Sequence, residues 1–188
     1  MTWLAKRNRT EKMVLVALFS TLTWIGAYLR VDFFPPVPFT LQNFMVVMAG
    51  ILLGPRYGAL SQAVYLLLGL AGIPVFTQGG GLGYVLRPGF GFILGFVCAA
   101  AVVGGLSKLF PKLTVVNSFG LALSGMIVIY LVAVPYLYLL NHLVLKEPVA
   151  FGQIVLAMLP FLLGDLLKAL LIAVLIPPLR LRLRDLGF

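Results

Sequence analysis

Long apolar runs, separated by short polar or glycine- and proline-rich segments, dominate the pattern of this chain. Such runs are typical of membrane-spanning helices, because a hydrocarbon core of about 30 Å needs about 20 helical residues. The second and third runs are short for a span, so we expect them to be tilted, kinked or partly re-entrant. The pattern predicts six membrane-spanning helices, at residues 13–29, 41–53, 59–73, 90–106, 115–140 and 159–176.

The sixth run differs from the others because it contains an acid and a base, Asp165 and Lys168. Residues three apart on a helix lie on the same face, so the two side chains are within reach of each other. An ionisable group in hydrocarbon costs roughly 3 kcal/mol even on the mildest insertion scale. We therefore expect the pair to point into the protein interior or a polar pocket. Two roles fit: a structural ion pair between helices, or part of a site for a polar ligand.

Composition places the chain in the integral membrane class. Of its 188 residues, 62% are hydrophobic and only 10% are charged, and the mean hydropathy is +1.10. The connections between the runs are too short for a separate globular unit, so we expect one membrane domain over residues 1–188. A net charge of +9 would suggest nucleic acid in a soluble protein, but here the cations lie between and beyond the apolar runs. The lipid bilayer is the expected partner, and nucleic acid is not.

The positions of Lys and Arg predict the orientation in the membrane. With both ends in the cytoplasm, ten basic residues fall on the cytoplasmic side, in the N-terminal segment 1–12, the inner turns and the basic tail 179–188. Only Arg30, Arg87 and Lys146 fall on the opposite side. This excess follows the positive-inside rule and agrees with an even number of spans.

Two of the predicted outer loops are rich in proline or glycine. The first, RVDFFPPVPFT, has three prolines, which exclude a helix. The second, GIPVFTQGGGLGYVLRPG, combines glycines with aromatic residues, as in a flexible connector or a backbone that approaches a ligand closely. Because the inner connections are much shorter, we expect a pocket that opens outward.

The chain shows no motif for catalysis, nucleotide binding or metal binding. The glycines at 79–83 lack the Lys-Ser/Thr of a P-loop and the spacing of a dinucleotide-binding motif. Cys98 is the only cysteine, which excludes an intramolecular disulfide and a Cys-based zinc site, and we expect it to be a small buried side chain. No enzymatic activity, cofactor or metal is predicted. Any step driven by ATP would need another subunit, since no Walker sequence occurs.

Several short motifs follow one another along the chain. PFTLQ lies at 38–42, LGPRYGA at 53–59 and GLAGIPVF at 69–76. The glycine-rich loop, the stretch 91–96 and GDLLK at 164–168 come after them. In this order the motifs resemble the BioY family, the biotin-binding membrane subunits (S-components) of energy-coupling factor (ECF) importers. The resemblance covers most of the chain from the first apolar run onward.

The resemblance implies a bundle of six helices in the cytoplasmic membrane of a prokaryote, with both termini in the cytoplasm. It implies that the protein captures biotin near the outer face and works with a transmembrane coupling protein and two ATPase subunits. Helix one of such subunits contacts the coupling protein through small residues; Ala17 and Thr21 occupy those positions, Thr21 in place of the usual alanine. RPGFGF at 87–92 departs from the GPTGGY of many relatives, so contacts of that Thr or Tyr do not carry over.

The chemistry of biotin assigns roles to particular side chains under this resemblance. Its ureido group needs an acceptor and a donor, which Asp165 and Lys168 supply. Its carboxylate needs a cation or amides, for which Arg87 and the backbone of the glycine-rich loop are the candidates and Lys168 is the alternative. Its ring and valeryl chain need apolar walls. The apolar candidates are Phe76, Tyr84, Phe33 and Phe34, and the lower-ranked polar ones are Gln78, Tyr136 and Asn141.

Three other interpretations fit the same sequence. An S-component for another vitamin, such as riboflavin or thiamin, would share the fold. A proton-coupled carrier would work alone through Asp165. A membrane enzyme comes last, because no spaced acid, base and nucleophile accompany one another.

Overall fold

The computed structural model describes residues 7–31, 37–146 and 149–185. In chain order these contain helix α1 (Arg9–Tyr28), strands β1 (Arg30–Val31) and β2 (Phe39–Thr40), and helices α2 (Gln42–Leu70), α3 (Phe90–Leu106), α4 (Val115–Leu140), α5 (Phe151–Ala157) and α6 (Leu159–Asp185). Short 3-10 helices lie at Leu82–Leu86 and Ser107–Leu109, and a π-helical turn at Asn141–Leu145. The prediction of an all-α fold is confirmed, with one antiparallel pair of two-residue strands in addition.

Side-chain caps determine where two of the long helices begin. The Asn8 side chain accepts a hydrogen bond from the backbone N–H of Glu11 (2.8 Å) at the start of α1. Thr114 caps α4 in the same way, accepting from the backbone N–H of Asn117 (3.2 Å). Each cap satisfies a backbone N–H that has no partner within its helix.

Helix α2 consists of two arms joined by a sharp bend at Gly54. This glycine has φ 77° and ψ −179°, a conformation that residues with a side chain rarely adopt. The Gln42 amide donates to the Tyr65 hydroxyl at 2.7 Å, although a straight helix of 23 residues would separate them by roughly 35 Å. The chain therefore reverses at the bend, and the arms 42–53 and 55–70 run antiparallel.

The two short predicted runs correspond to these two arms. The bend lies between the predicted runs 41–53 and 59–73, at Gly54, and it reverses the chain direction. The second arm ends at Leu70, before the predicted end of its run. Helices α3 and α4 begin and end at the predicted residues. Helix α5 is absent from the prediction because its seven residues are too few to show a helical period.

Glycines allow α3 to pack directly against the bend in α2. A Cβ on Gly104 would lie 2.5 Å from the carbonyl carbon of Gly54 and the nitrogen of Pro55, and 2.8 Å from the carbonyl oxygen of Gly50. A Cβ on Gly58 would lie 3.0 Å from the Cα of Gly50. Backbones approach this closely only where no side chain intervenes, so these positions determine how the helices fit together.

Helix α6 buries one stripe of side chains and exposes the others. Asp165 and Lys168 are each only 3% exposed, and they share this stripe with Ala169, Ile172 and Ile176, which are fully buried. Leucines on the other faces of α6 are exposed, as expected of side chains that face lipid. The prediction that the charged pair points inward is therefore confirmed.

Four of the described helices, α2, α3, α4 and α6, are long and apolar enough to cross a membrane. Because α2 doubles back, these four and α1 provide six helical segments, one for each predicted run. One sequence-based expectation is wrong: Cys98 is exposed, because the turn of α3 directs it outward while its neighbours Ala99 and Ala100 are buried.

Gly104→Ala tests the packing of α3 against the bend. The added methyl group would meet backbone atoms, which cannot rotate away, so we expect destabilisation at or above the usual roughly 1–3 kcal/mol of overpacking. The matched control is Gly105→Ala, where a Cβ would meet nothing within 4 Å. Thermal unfolding of both variants in detergent measures the difference. Equal melting temperatures for the two variants would contradict the packing described above.

Candidate functional site

The Asp165 carboxylate accepts hydrogen bonds from three helices. Lys168, on α6 itself, donates from Nζ to Oδ1 at 2.8 Å, which closes the predicted ion pair. Tyr130 on α4 donates from its hydroxyl to Oδ2 at 2.6 Å. Asn43, at the start of α2, donates from Nδ2 to Oδ1 at 3.3 Å. A buried charge is tolerated when neighbouring groups satisfy it in this way, and the cluster joins α2, α4 and α6 at one end of the bundle.

A pocket opens beside this cluster. The space between its walls, counting the open mouth, is about 490 Å³. Asp165, Lys168, Asn43 and Tyr130 all line it. Its remaining aromatic walls are Phe39, Tyr84, Phe92, Phe96 and Phe161. The pocket therefore combines one dense polar region with extended apolar surfaces.

A second set of hydrogen bonds orients the polar residues on another side of the pocket. The Thr40 hydroxyl donates to Gln42 Oε1 (3.1 Å), while Gln42 Nε2 donates to the Tyr65 hydroxyl (2.7 Å). Because the Tyr65 hydroxyl donates to the carbonyl oxygen of Val75 (2.9 Å), it must accept from Gln42, which gives the Gln42 amide one orientation. The hydroxyls of Thr77 and Tyr84 are 2.9 Å apart. These groups are held in place before any ligand arrives.

Tyr84 lies in the loop between α2 and α3, and its surroundings determine its protonation. Burial raises the pKa of its phenol above the ordinary value of 10.0. The Thr77 hydrogen bond and the nearby Arg87 and Arg30 charges partly oppose this rise. The phenol therefore stays protonated near neutral pH and serves as both hydrogen-bond donor and apolar wall.

Three of the candidate ligand residues, Tyr84, Asp165 and Lys168, come together in the pocket. Phe76 lies one layer behind them, with its ring centroid 4.5 Å from that of Tyr84 and a side chain that is 2% exposed. It supports the wall without lining it. Phe33 and Phe34 lie outside the described residues.

The other four polar candidates lie outside the pocket lining. Arg87 and Gln78 are exposed in the glycine-rich loop. Tyr136 donates its hydroxyl to the carbonyl oxygen of Val85. Asn141 donates to the carbonyl oxygen of Leu137 in the last turn of α4 (2.9 Å). Ligand contacts by any of the candidate residues stay predictions.

Several polar residues of the pocket escape the sequence-based analysis. Asn43 and Tyr130 are uncharged, so within apolar runs they give a weaker signal than an acid or a base. Their signal was nonetheless present: Asn43 follows the PFTLQ motif directly, and Tyr130 lies near the middle of an apolar run. Gln42 is the first residue of α2 and Thr77 lies in the loop after α2, and polar residues are ordinary at both kinds of position.

The candidate partner-binding residues lie on the outer face of α1. Ala17 and Thr21 are both exposed, and the Thr21 hydroxyl donates to the Ala17 carbonyl oxygen at 3.0 Å. Because this bond satisfies the hydroxyl within the helix, Thr21 presents mainly its methyl group and resembles a small apolar residue.

Known proteins resemble this chain in both sequence and fold. The profile of the BioY family matches residues 2–185. A probable biotin transporter BioY of Lysinibacillus sphaericus is 47% identical over 133 residues, covering 71% of this chain and 67% of the relative. The biotin transporter BioY of Thermotoga maritima is 34% identical over 166 residues, covering 87% of this chain and 92% of the relative.

A solved structure has the same fold. It is described as the S-component for biotin from an ECF-type ABC transporter, and it is 27% identical to this chain. The TM-score is 0.79, with 92% of each chain covered. Together with its long apolar helices, this likeness makes the protein a multi-pass protein embedded in a membrane. Because the family profile spans nearly the whole sequence and the relatives agree with it, the chain belongs to the BioY family.

Proposed function

We propose that this protein is the biotin-binding S-component of an ECF-type importer and is not itself an enzyme. The observation that carries the proposal is the buried Asp165–Lys168 pair in the wall of a largely aromatic pocket. A ureido group has N–H donors and a carbonyl acceptor close together, and this pair offers an acceptor and a donor side by side. The names of the relatives and of the solved structure support biotin over other vitamins.

Biotin enters the pocket with its ureido group towards Asp165 and Lys168. The aromatic walls, Phe92 and Phe96 among them, enclose its ring and valeryl chain. The carboxylate stays near the mouth, because a second carboxylate beside Asp165 would place two negative charges around one cation. Asn43 and Tyr130 hold Asp165 in position and leave it ready to accept the ureido N–H groups.

The proposed topology has six spans with both termini in the cytoplasm. The two arms of α2 and helices α1, α3, α4 and α6 are the spans, and the excess of cations lies at the termini and inner turns. The strand pair, the glycine-rich loop and the pocket then face the extracytoplasmic side of the cytoplasmic membrane. Biotin is therefore captured from outside the cell.

A transmembrane coupling protein and two ATPase subunits complete the importer. The exposed face of α1 that carries Ala17 and Thr21 is the proposed contact with the coupling protein, because small residues permit helices to approach closely. ATP hydrolysis in the partner subunits then drives release of biotin into the cytoplasm.

A comparison of two ligands tests which end of biotin Lys168 binds. We expect the purified wild-type protein to bind biotin. The Lys168→Met variant should bind biotin at least about tenfold more weakly, because a hydrogen bond to a charged group contributes about 1.5–3 kcal/mol. Biotin amide, which lacks the negative charge, is measured in parallel by calorimetry. If Lys168 binds the ureido group, the ratio of the two affinities is the same in wild type and variant.

The possible outcomes separate the alternatives. If Lys168 instead binds the carboxylate, the preference for biotin over its amide disappears in the variant. Failure of the wild-type protein to bind biotin, after removal of any copurified ligand, would overturn the proposed function itself.

Tyr130→Phe tests the support of Asp165. The substitution removes one hydroxyl and leaves the buried carboxylate with one donor fewer, so we expect roughly 1.5–3 kcal/mol of destabilisation and weaker biotin binding. Tyr138→Phe is the control, because Tyr138 lies on the same helix and its ring packs against His142 and Phe151. Thermal unfolding and biotin calorimetry measure both effects. Unchanged values for Tyr130→Phe would exclude a role for this hydrogen bond.

Ala17→Leu tests the partner surface. A larger side chain on the outer face of α1 would keep another helix at a distance, so biotin uptake should fall while biotin binding by the purified subunit is unchanged. Uptake is measured in cells that also produce the coupling protein and ATPases. Ala157→Leu is the control, because Ala157 is also exposed but lies on α5. Normal uptake by Ala17→Leu would remove this face from the proposed interface.

A further inference from the structure

Lys168 has a second neighbour besides Asp165. Its Nζ lies 3.7 Å from the centroid of the Phe39 ring. A cation within about 6 Å of a ring centroid is attracted by the negative face of the ring, most strongly where water is excluded. Lys168 is only 3% exposed, so the contact belongs to the water-poor case. The ring stabilises the ammonium without supplying an oxygen acceptor, which keeps N–H donors available for a ligand.

A glycine of α6 provides the space that the Phe39 ring occupies. A Cβ on Gly164 would lie 2.2 Å from Cζ of Phe39 and 2.3 Å from its Cε2. The ring therefore occupies the space that any larger residue at position 164 would fill, and Gly164 directly precedes Asp165. Only glycine leaves room for the ring at this point of the helix.

The backbone of Phe39 is held from the other side by the end of α1. Phe39 pairs with Val31 across the two strands. The backbone N–H of Leu41 donates to the carbonyl oxygens of Gly26 and Leu29, both at 3.2 Å. These bonds attach β2 to the end of α1, so the ring reaches Lys168 from an anchored segment.

We propose that Phe39 is a positioning residue, which holds the Lys168 ammonium in its ligand-binding orientation, and that Gly164 provides the space for it. The inference rests on the proposed function, because it assigns Phe39 a role in biotin binding through Lys168. Without the ring, the free protein populates other orientations of the ammonium. The apparent affinity for biotin then falls in proportion to the loss of the competent orientation.

Fluorinated phenylalanines at position 39 test this role with little change of shape. Fluorine withdraws electron density from the ring face, so one, two and three fluorine atoms weaken the attraction stepwise. Biotin binding to the purified full-length protein, measured by equilibrium dialysis, is expected to weaken progressively, to about 3- to 30-fold with three fluorines. The same series at Phe19 is the control, because this ring of α1 is buried in the apolar core and does not line the pocket. We expect no trend there.

Each result has a definite meaning. A flat series at position 39, with biotin bound normally by the unmodified protein, overturns the role of Phe39 and leaves the proposed function intact. Equal trends at positions 39 and 19 also overturn it, because the effect would then be a general one of fluorinating a buried ring. Absence of biotin binding by the unmodified protein overturns both proposals.

Gly164→Ala provides a test that needs no unnatural residue. The added methyl group should displace the Phe39 ring from Lys168 and weaken biotin binding to a similar degree. Phe39→Leu alone should also weaken binding, but combining it with Gly164→Ala should add little, because both changes remove the same contact. Full additivity of the two losses would show that they act separately and would contradict the inference.

Discussion

Burial of the Asp165 carboxylate is the constraint on which one end of the helix bundle depends. An isolated carboxylate in an apolar interior is so unfavourable that it must be paired and hydrogen-bonded. Here the donors come from α6 itself, from α4 through Tyr130 and from the start of α2 through Asn43. The three helices must therefore lie at one relative position to satisfy a single group. The same requirement keeps polar side chains together at the edge of a pocket, where tight apolar packing would otherwise close the space.

The opposite end of the bundle is organised by close contact between backbones. The bend at Gly54 reverses α2, and Gly104 of α3 packs against it. This reversal has a consequence for the pocket, because it returns the chain so that Tyr65 on the second arm orients Gln42 at the start of the first. The tight glycine packing at the bend and the polar pocket thus share one helical hairpin. Disturbing the bend would change the relative position of residues that line the pocket.

The sequence predicts the helices well and the pocket in part. The bounds of α3 and α4 follow from apolar runs bounded by glycine, proline and charge, and the inward direction of Asp165 and Lys168 follows from the free energy of burying charge. Asn43 and Tyr130 were not predicted because a neutral polar residue in an apolar run is common, and only contacts between distant segments give it a role. The chemistry of loop residues such as Arg87 makes them candidates for the site. Whether they reach it depends on the loop conformation, which local sequence does not determine.

The arrangement of charges also explains why a neutral polar group suits the inner end of the pocket. Asp165 and Lys168 already neutralise each other, so a ligand group that both donates and accepts hydrogen bonds leaves this balance unchanged. A carboxylate at the same place would compete with Asp165 for one ammonium, and an added cation would compete with Lys168 for one carboxylate. At Tyr84 in the pocket wall the situation differs, because the Arg87 and Arg30 charges act on this residue and favour an anion. Under the proposed function, a ligand with a neutral ureido group at one end and a carboxylate at the other therefore fits the pocket in one direction only.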